Sequence, residues 1–465
     1  MTDTTIGDHS PAAPSASKFY FIAWRWHFYA GLYVIPFLCM LALTGLTMLW
    51  ISWGAGLGAE RMAVTPAGAP VPLTQLQAAA EAAVPGSRAV QYVAPLAENR
   101  VAAFAVEAGG TRTGVALDPY TGEALHTFPW RAGWYDFAND IHGSLLLGSF
   151  GDAMIEIAAS LAIVLIASGL YLHWPRNGTS WRTTLIPQIR ARGRGFWKSL
   201  HGVAGFWISL LLLVFLVSGL SWSGVWGTKM MQAWNTFPAE KWGVPTSDAT
   251  HAAMNHGASD EVPWGLEQTP MPVSGSLTGT SAIQGDVTID KIAAFATTLG
   301  FDGRFQINLP ADETGVWTVS HDSMSNDGPD PTADRTVHID RYTGNVLADV
   351  RFADYSPYAK AMAVGIAFHE GDLGIWNLAL NTLFCLLVVL VSVSGVVMWQ
   401  KRRPASASRL AAPPRPTGLP FWKGAAALVL VLGALFPMAG AAILVILLID
   451  ATVLRVLPSA KRALS

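Results

Sequence analysis

The chain has 465 residues, 51% hydrophobic and 13% charged, with 19 tryptophans and a mean hydropathy of +0.35. That balance excludes a soluble enzyme of this length and reads as a protein that crosses a membrane several times. The net charge of −2 says nothing about nucleic acid and no basic, aromatic-interleaved cluster points to it, while two cysteines, Cys39 and Cys385, each in an apolar run, encode no disulfide framework or thiolate metal site.

Residues 1–20, MTDTTIGDHSPAAPSASKFY, lack the basic start, apolar core and cleavage site of a signal peptide, and read as a disordered cytoplasmic tail. A first span is predicted over 21–53, since a run of about 20 apolar residues crosses about 30 Å of hydrocarbon. A polar segment, 54–135, separates it from a second span over 136–175. The loop 176–197 is basic, with Arg176, Arg182, Arg190, Arg192 and Arg194 and no acid, so it belongs on the cytoplasmic side. A third span follows over 198–224, then a second long polar segment, 225–357, and a fourth span over 358–400. Both polar segments then lie outside. After a linker, 401–420, the apolar run within 421–456 is interrupted by Phe436-Pro437-Met438-Ala439-Gly440 and reads as a hairpin of two short helices, ahead of a cytoplasmic tail at 457–465. The total is about six transmembrane helices in a mainly α integral membrane protein.

The chain repeats itself. His27 is followed by Gly31 and Gly45, and His201 by Gly205 and Gly219, so both helices carry H-x3-G-x13-G. In the polar segments VALDPYTGEAL matches VHIDRYTGNVL, each an alternating strand, an Asp/Gly turn and a second strand. Helical stretches, LTQLQAAAEAAV and TIDKIAAFATTLG, precede them, so each segment reads as a small α+β domain. A histidine then opens each returning span, His142 in DIHGSLLLG and His369 in AFHEGDLG.

Four histidines therefore fall on four helices, His27 and His201 near the cytoplasmic ends, His142 and His369 near the outer ends. At 1.5 Å per residue His27 and the outer boundary near Trp50 are roughly 35 Å apart, so two separate pairs result. Neutral imidazoles on facing helices in an apolar setting suit the axial positions of haem iron. Gly31 and Gly205, one turn after their histidines, remove side chains where a flat ring approaches; helix packing explains them equally well. Arg25 and Lys198 near the inner surface, and Arg131 outside, are candidates to pair with propionates. A single interfacial histidine more often snorkels to headgroups, and it is the register of four that favours a cofactor. His173 stands where the second repeat has Trp399; belt residue, spare ligand to the inner cofactor and proton carrier all stay open. His251, Met254 and His256 read as surface polarity rather than a soft-metal site. His9, His126, His321 and His338 have no constellation around them.

In WHFYAGLY, DPYTGEAL, IHGSLLLG, GLYLHWPR, LHGVAGFW, VPWGLEQTPMP, HIDRYTGNVL, FHEGDLG and LFPMAGAAILVILLID the chain resembles the PepSY-associated transmembrane, often iron-regulated, proteins, which include inner-membrane siderophore reductases of the ferrioxamine type. The resemblance implies a bacterial inner-membrane protein with two periplasmic PepSY domains in tandem and two b-type haems, the inner one held by His27 and His201, the outer by His142 and His369. It implies a membrane-bound ferric siderophore reductase, fed by a cytoplasmic or quinol donor and releasing ferrous iron outside. At His173 the family commonly has tryptophan, which leaves the inner ligand set less defined than the outer. The competing expectations are a haem-dependent reductase of copper or another ferric chelate, a transporter, and a non-enzymatic PepSY sensor. The span centres LLLLVFLVSG and CLLVVLVSVSG carry no acid or histidine, against a transport path, and a sensor leaves four registered histidines unexplained.

Overall fold

The structure is a computed structural model that describes residues 18–176, 180–255, 260–403, 410–414, 423–452 and 456. Most of the expected tail at 1–20, much of the linker at 401–420 and the tail at 457–465 lie outside the described residues, as do His9 and His256.

In chain order, α1 (Lys18–Gly54) is followed by α2 (Leu73–Ala83), the strands β1 (Arg88–Val93), β2 (Ala102–Ala108), β3 (Thr111–Leu117) and β4 (Ala124–Pro129), then α3 (Trp134–Ser144), α4 (Gly148–His173), the short α5 (Trp181–Leu185) and α6 (Gly193–Leu220). A π-helical stretch, Gly224–Gln232, leads through α7 (Ala233–Asn235), β5 (Thr246–Thr250), β6 (Pro270–Pro272) and β7 (Thr280–Ser281) to α8 (Ile289–Thr298). Strands β8 (Gln306–Asn308), β9 (Val316–His321), β10 (Arg335–Asp340) and β11 (Asn345–Arg351) precede α9 (Pro357–Glu370), α10 (Ile375–Arg402), α11 (Lys423–Leu435) and α12 (Pro437–Ala451). Helices α1, α4, α6 and α10 are long and apolar enough to cross a membrane. The chain is a membrane protein with an antiparallel sheet region.

The chain divides into two compact units, the first built from residues up to Pro36, 160–209 and Leu390 onward, the second from 37–159 and 210–389. Within the first, the last apolar run breaks where expected: Pro437 opens α12, and a Cβ on Gly440 would stand 2.6 Å from the Cα of Gly433 on α11. Glycine at position 440 lets the two backbones approach so closely.

The second unit holds the sheet, and here one expectation changes. The two α+β segments are not separate domains. Strands β1–β4 and β8–β11 are antiparallel meanders joined by β1 and β8, with Gln91 opposite Asn308, Tyr92 opposite Ile307 and Val93 opposite Gln306, giving the order β4-β3-β2-β1-β8-β9-β10-β11-β7. Neither meander then leaves its first strand as an open edge. Helices α2 and α8 contribute Leu76, Ala80, Ile289, Ile292 and Ala296 to one core with Phe104, Val115, Ile307, Val319 and Ile339. The halves also exchange a cap: Asp290 of α8 accepts hydrogen bonds from Leu73 and Thr74 N–H at the start of α2, which has no capping side chain of its own.

The repeated turns match atom for atom. Asp118 Oδ1 accepts from Tyr120 N, and Asp340 Oδ1 from Tyr342 N, both at 2.8 Å. Tyr120 donates to the Glu98 carbonyl and Tyr342 to the Glu313 carbonyl, again both at 2.8 Å, and Gly122 and Gly344 take positive φ.

The spans expected as continuous over 136–175 and 358–400 are each two helices. Between α3 and α4, Leu145 and Leu146 adopt left-handed φ of 55° and 60° and Gly148 one of 55°; between α9 and α10, Gly371 and Gly374 do so at 91° and 97°. Asn377 and Asn381 of α10 donate to the terminal carbonyls of α9, Asn381 to both Phe368 and His369, so α9 ends against fixed partners. The insertion between the meanders holds α9 from the other side. Phe237, Val262, Trp264 and Leu266 form a second core with Tyr355, Ala359, Met362 and Ile366.

Candidate functional site

The histidines expected to pair do so within their own units. In the first unit the His27 and His201 rings have centroids 6.3 Å apart at 88°. In the second, the His142 and His369 rings have centroids 6.3 Å apart at 83°. Two metal–imidazole bonds of about 2 Å, with about 1.1 Å from each coordinating nitrogen to its ring centre, give about 6.3 Å for two coaxial imidazoles on one iron. Both pairs have the separation of bis-histidine axial ligands. Among the described residues, no group of three or more His, Cys, Asp or Glu could hold a metal ion.

Each imidazole is oriented by a hydroxyl from a facing helix. His27 Nδ1 lies 2.9 Å from Ser168 Oγ, His142 Nδ1 2.9 Å from Thr44 Oγ1, His369 Nδ1 2.8 Å from Ser218 Oγ, and His201 Nδ1 2.9 Å from the Val391 carbonyl and 3.2 Å from Ser394 Oγ. These hydroxyls already donate to carbonyls of their own helices: Ser168 to Val164, Thr44 to Met40, Ser218 to Phe215 and Ser394 to Val391. Each must therefore accept from Nδ1–H, which places the lone pair on Nε2. Among the described residues none bonds those Nε2 atoms. This is the tautomer a metal ligand needs, with the supporting hydrogen bond in place.

The residue after each hydroxyl is glycine, at Thr44-Gly45, Ser168-Gly169, Ser218-Gly219 and Ser394-Gly395; the repeat marked Gly45 and Gly219, and the part of the hydroxyls before them was the signal left unread. A Cβ at Gly169 would stand 3.1 Å from His27 Cε1, at Gly395 3.5 Å from His201 Cε1, at Gly45 3.7 Å from His142 Cε1 and at Gly219 4.0 Å from His369 Cε1. The expected Gly31 and Gly205 face open space. A Cβ there would meet nothing within 4 Å.

His142 and His369 line a cavity of about 440 Å³ in the second unit, of the size that holds a small ligand. Leu41, Leu212, Phe215 and Phe384 line it with apolar surface; Phe215 packs on His369 at 4.6 Å and on Phe384 at 4.4 Å between ring centres. Tyr135, Asn139, Asp260 and Glu370 add polar groups. Arg131, a candidate propionate partner, is ion-paired with Glu261 at 2.7 Å, and its φ is 53°. Trp134 and Trp376 are exposed, whereas Tyr135 lines the cavity.

Near the first pair, Arg25 donates to the Pro413 carbonyl and to Tyr29 Oη, and Lys198 is exposed on α6. His173 has its Nε2 3.0 Å from the Thr184 carbonyl and its ring 6.2 Å from that of Phe206, so its second nitrogen is engaged by the backbone of α5.

A further histidine pair was not foreseen. His251 and His338 are fully buried with their Nε2 atoms 2.8 Å apart, His251 Nδ1 lies 2.6 Å from the Thr269 carbonyl, and His338 Nδ1 lies 2.9 Å from Thr318 Oγ1. They join the insertion to β10. Burial pushes the His251 imidazole down to about 4, so the folded state favours the neutral form. Its contribution, a few kcal/mol, is present above the unfolded value near 6.5 and is lost as pH falls through about 4. Buried Asp322 and Asp334, pushed up by burial to about 8 and about 7, act in the opposite sense. The readout is therefore a difference. Thermal stability of His251→Gln measured against wild type should show a gap that narrows from pH 7 to pH 4, and a constant gap would contradict the assignment.

The sequence profile of the family described as PepSY-associated TM region matches residues 24–402, which include all four paired histidines and both meanders. No curated protein matches the chain. With that match spanning most of its length, the chain belongs to the PepSY-associated transmembrane region family.

Proposed function

We propose that the protein carries electrons across the bacterial inner membrane on two b-type haems and reduces the iron of a ferric siderophore on the periplasmic side, releasing it as ferrous iron. The single observation behind this reading is the 6.3 Å separation of both histidine pairs. In this reading the N-terminus is cytoplasmic, α11 and α12 complete six spans, and the sheet lies in the periplasm.

Haem, when bound, supplies reversible one-electron chemistry between a cytoplasmic or quinol donor and the outer acceptor. The chain's own residues do the rest. His27 with His201, and His142 with His369, would hold the two haems, each through the Nε2 that its Nδ1 hydrogen bond leaves available. Ser168, Ser394, Thr44 and Ser218 hold the imidazoles in that tautomer and raise their basicity by accepting the Nδ1 proton in a hydrogen bond. Phe215, packed on both the His369 ring and Phe384, gives the second pair an apolar wall. Ferric iron held by oxygen ligands loses affinity for them on reduction, so no acid or base of the protein is needed at that iron.

The test is transmembrane reduction. Protein in liposomes with a quinol generated inside should produce ferrous iron, trapped by an impermeant chelator outside, from a ferric trihydroxamate added outside. His27→Ala and His369→Ala should each abolish it. Reduction that persists in both variants would overturn the proposal. Ser218→Ala should retain haem but lower the affinity of that site about 10- to 100-fold, the usual cost of losing a ligand's hydrogen-bond partner, as read by haem titration.

A further inference from the structure

The face of the sheet turned away from its apolar core is polar and yet enclosed. On β8, β9 and β10, Ile307, Val319 and Val337 belong to the core, so their neighbours Gln306, Ser320 and Thr336 point the other way. These three stand opposite one another in register across the strands and are buried, and Gln91 on β1 adds a fourth buried polar side chain. The insertion covers this face with Met254, Val262 and Pro263, leaving a cavity of about 10 Å³, room for one particle the size of water.

Three oxygens on this cavity are enclosed and have no hydrogen-bond partner among the described residues: Asp322 Oδ2, Thr336 Oγ1 and Gln91 Oε1. Each belongs to a residue that is 1% exposed. The neighbouring atoms are committed elsewhere: Asp322 Oδ1 accepts from Ser325 N at 2.9 Å, and Gln91 Nε2 donates to Gln306 Oε1. Asp322 also lacks a counter-charge. Among the described residues no Lys, Arg or His lines the cavity, Arg304 is engaged with Glu60 and Asp327, and Arg131 with Glu261. The charged groups acting on Asp322 are the acids Asp334 and Glu261. A water molecule would satisfy the three oxygens but leave the charge, and a buried carboxylate is costly until a positive charge reaches it.

The donor set selects the cation. Oxygens alone suit a hard ion, whereas zinc and copper take imidazole and thiolate. Calcium sites gather several carboxylates and magnesium keeps several waters, so one unpaired carboxylate among neutral oxygens, in a space for one particle, fits a bare monovalent ion. We propose that this cavity is a sodium site, in which Asp322 Oδ2, Thr336 Oγ1 and Gln91 Oε1 hold one dehydrated ion beneath the insertion. The ion neutralises the sheet face that the insertion covers, and the insertion in turn packs against α9. The assignment is independent of the histidine pairs.

Sodium-22 binding to the purified full chain tests this, with ionic strength fixed by choline chloride and at about pH 9, above the value of about 8 to which burial pushes the Asp322 carboxyl. About one sodium per chain should bind. Raising sodium from about 1 to about 100 mM should lift the thermal midpoint by about 3 °C or more, with no such rise in potassium or choline. Asp322→Asn and Thr336→Val should each weaken binding about tenfold or more, while Thr336→Ser, which keeps the oxygen, should bind as wild type does. Absence of bound sodium, the result if the cavity holds only water or Asp322 is protonated, overturns the proposal. Calcium taken up in its place, or binding unchanged in both Asp322→Asn and Thr336→Val, overturns it as well. Should Asp322→Asn misfold, the contrast between Thr336→Val and Thr336→Ser decides. Failure of iron reduction with sodium binding intact would overturn the proposed function alone.

Discussion

His369→Ala is expected to halve the haem content of the purified protein, from about two per chain to about one, and His142→Ala should do the same. Each removes one imidazole of a pair whose ring centroids are 6.3 Å apart, and among the described residues the cavity is lined by no other histidine. His201→Ala and His27→Ala should remove the other haem, and the double variant His201→Ala/His369→Ala should be colourless. His173→Ala is the contrasting case. Its Nε2 is engaged by the Thr184 carbonyl, so its loss should leave haem stoichiometry unchanged. Haemochrome assay against protein concentration reads all of these; a His173→Ala variant lacking one haem would reassign the ligands of the first pair.

Arg304→Ala should destabilise the second unit by about 3–5 kcal/mol, the range for removing one partner of a buried ion pair. The guanidinium is 5% exposed and lies 3.0 Å from Glu60 Oε2 and 3.5 Å from Asp327 Oδ1, while its Nη1 donates to the Asn326 carbonyl at 3.2 Å. Removal leaves two enclosed carboxylates facing the acids already present. Arg304→Lys keeps the charge but not the forked geometry, so an intermediate loss is expected. Denaturant unfolding followed by tryptophan fluorescence measures it. A loss below about 1 kcal/mol would mean that the pair behaves like an exposed one.

The repeat carried most of what could be read from the chain. H-x3-G-x13-G located His27 and His201, the histidine opening each returning span located His142 and His369, and the Asp-x-Tyr-Thr-Gly turns repeat atom for atom in the fold. The joining of the two meanders was not legible. Gln91–Val93 and Gln306–Asn308 are more than 200 residues apart, and nothing local in either strand names its partner. The break before α4 was hidden because Leu145 and Leu146 take left-handed backbone that leucine does not favour, whereas polar residues and Gly371 and Gly374 in HEGDLG mark the one before α10. His338 was dismissed because it was weighed alone, and His251 because it was weighed only with its sequence neighbours Met254 and His256. Their contact across 87 residues depends on the insertion folding back over β10.

The central claim, two bis-histidine haem sites, is tested most directly by low-temperature electron paramagnetic resonance of the oxidised, purified protein. The near-perpendicular imidazole planes, 88° and 83°, predict two low-spin ferric signals of strongly anisotropic type, integrating to about two haems per chain. A folded protein, expressed with ample haem, that gives no low-spin haem signal would contradict the account.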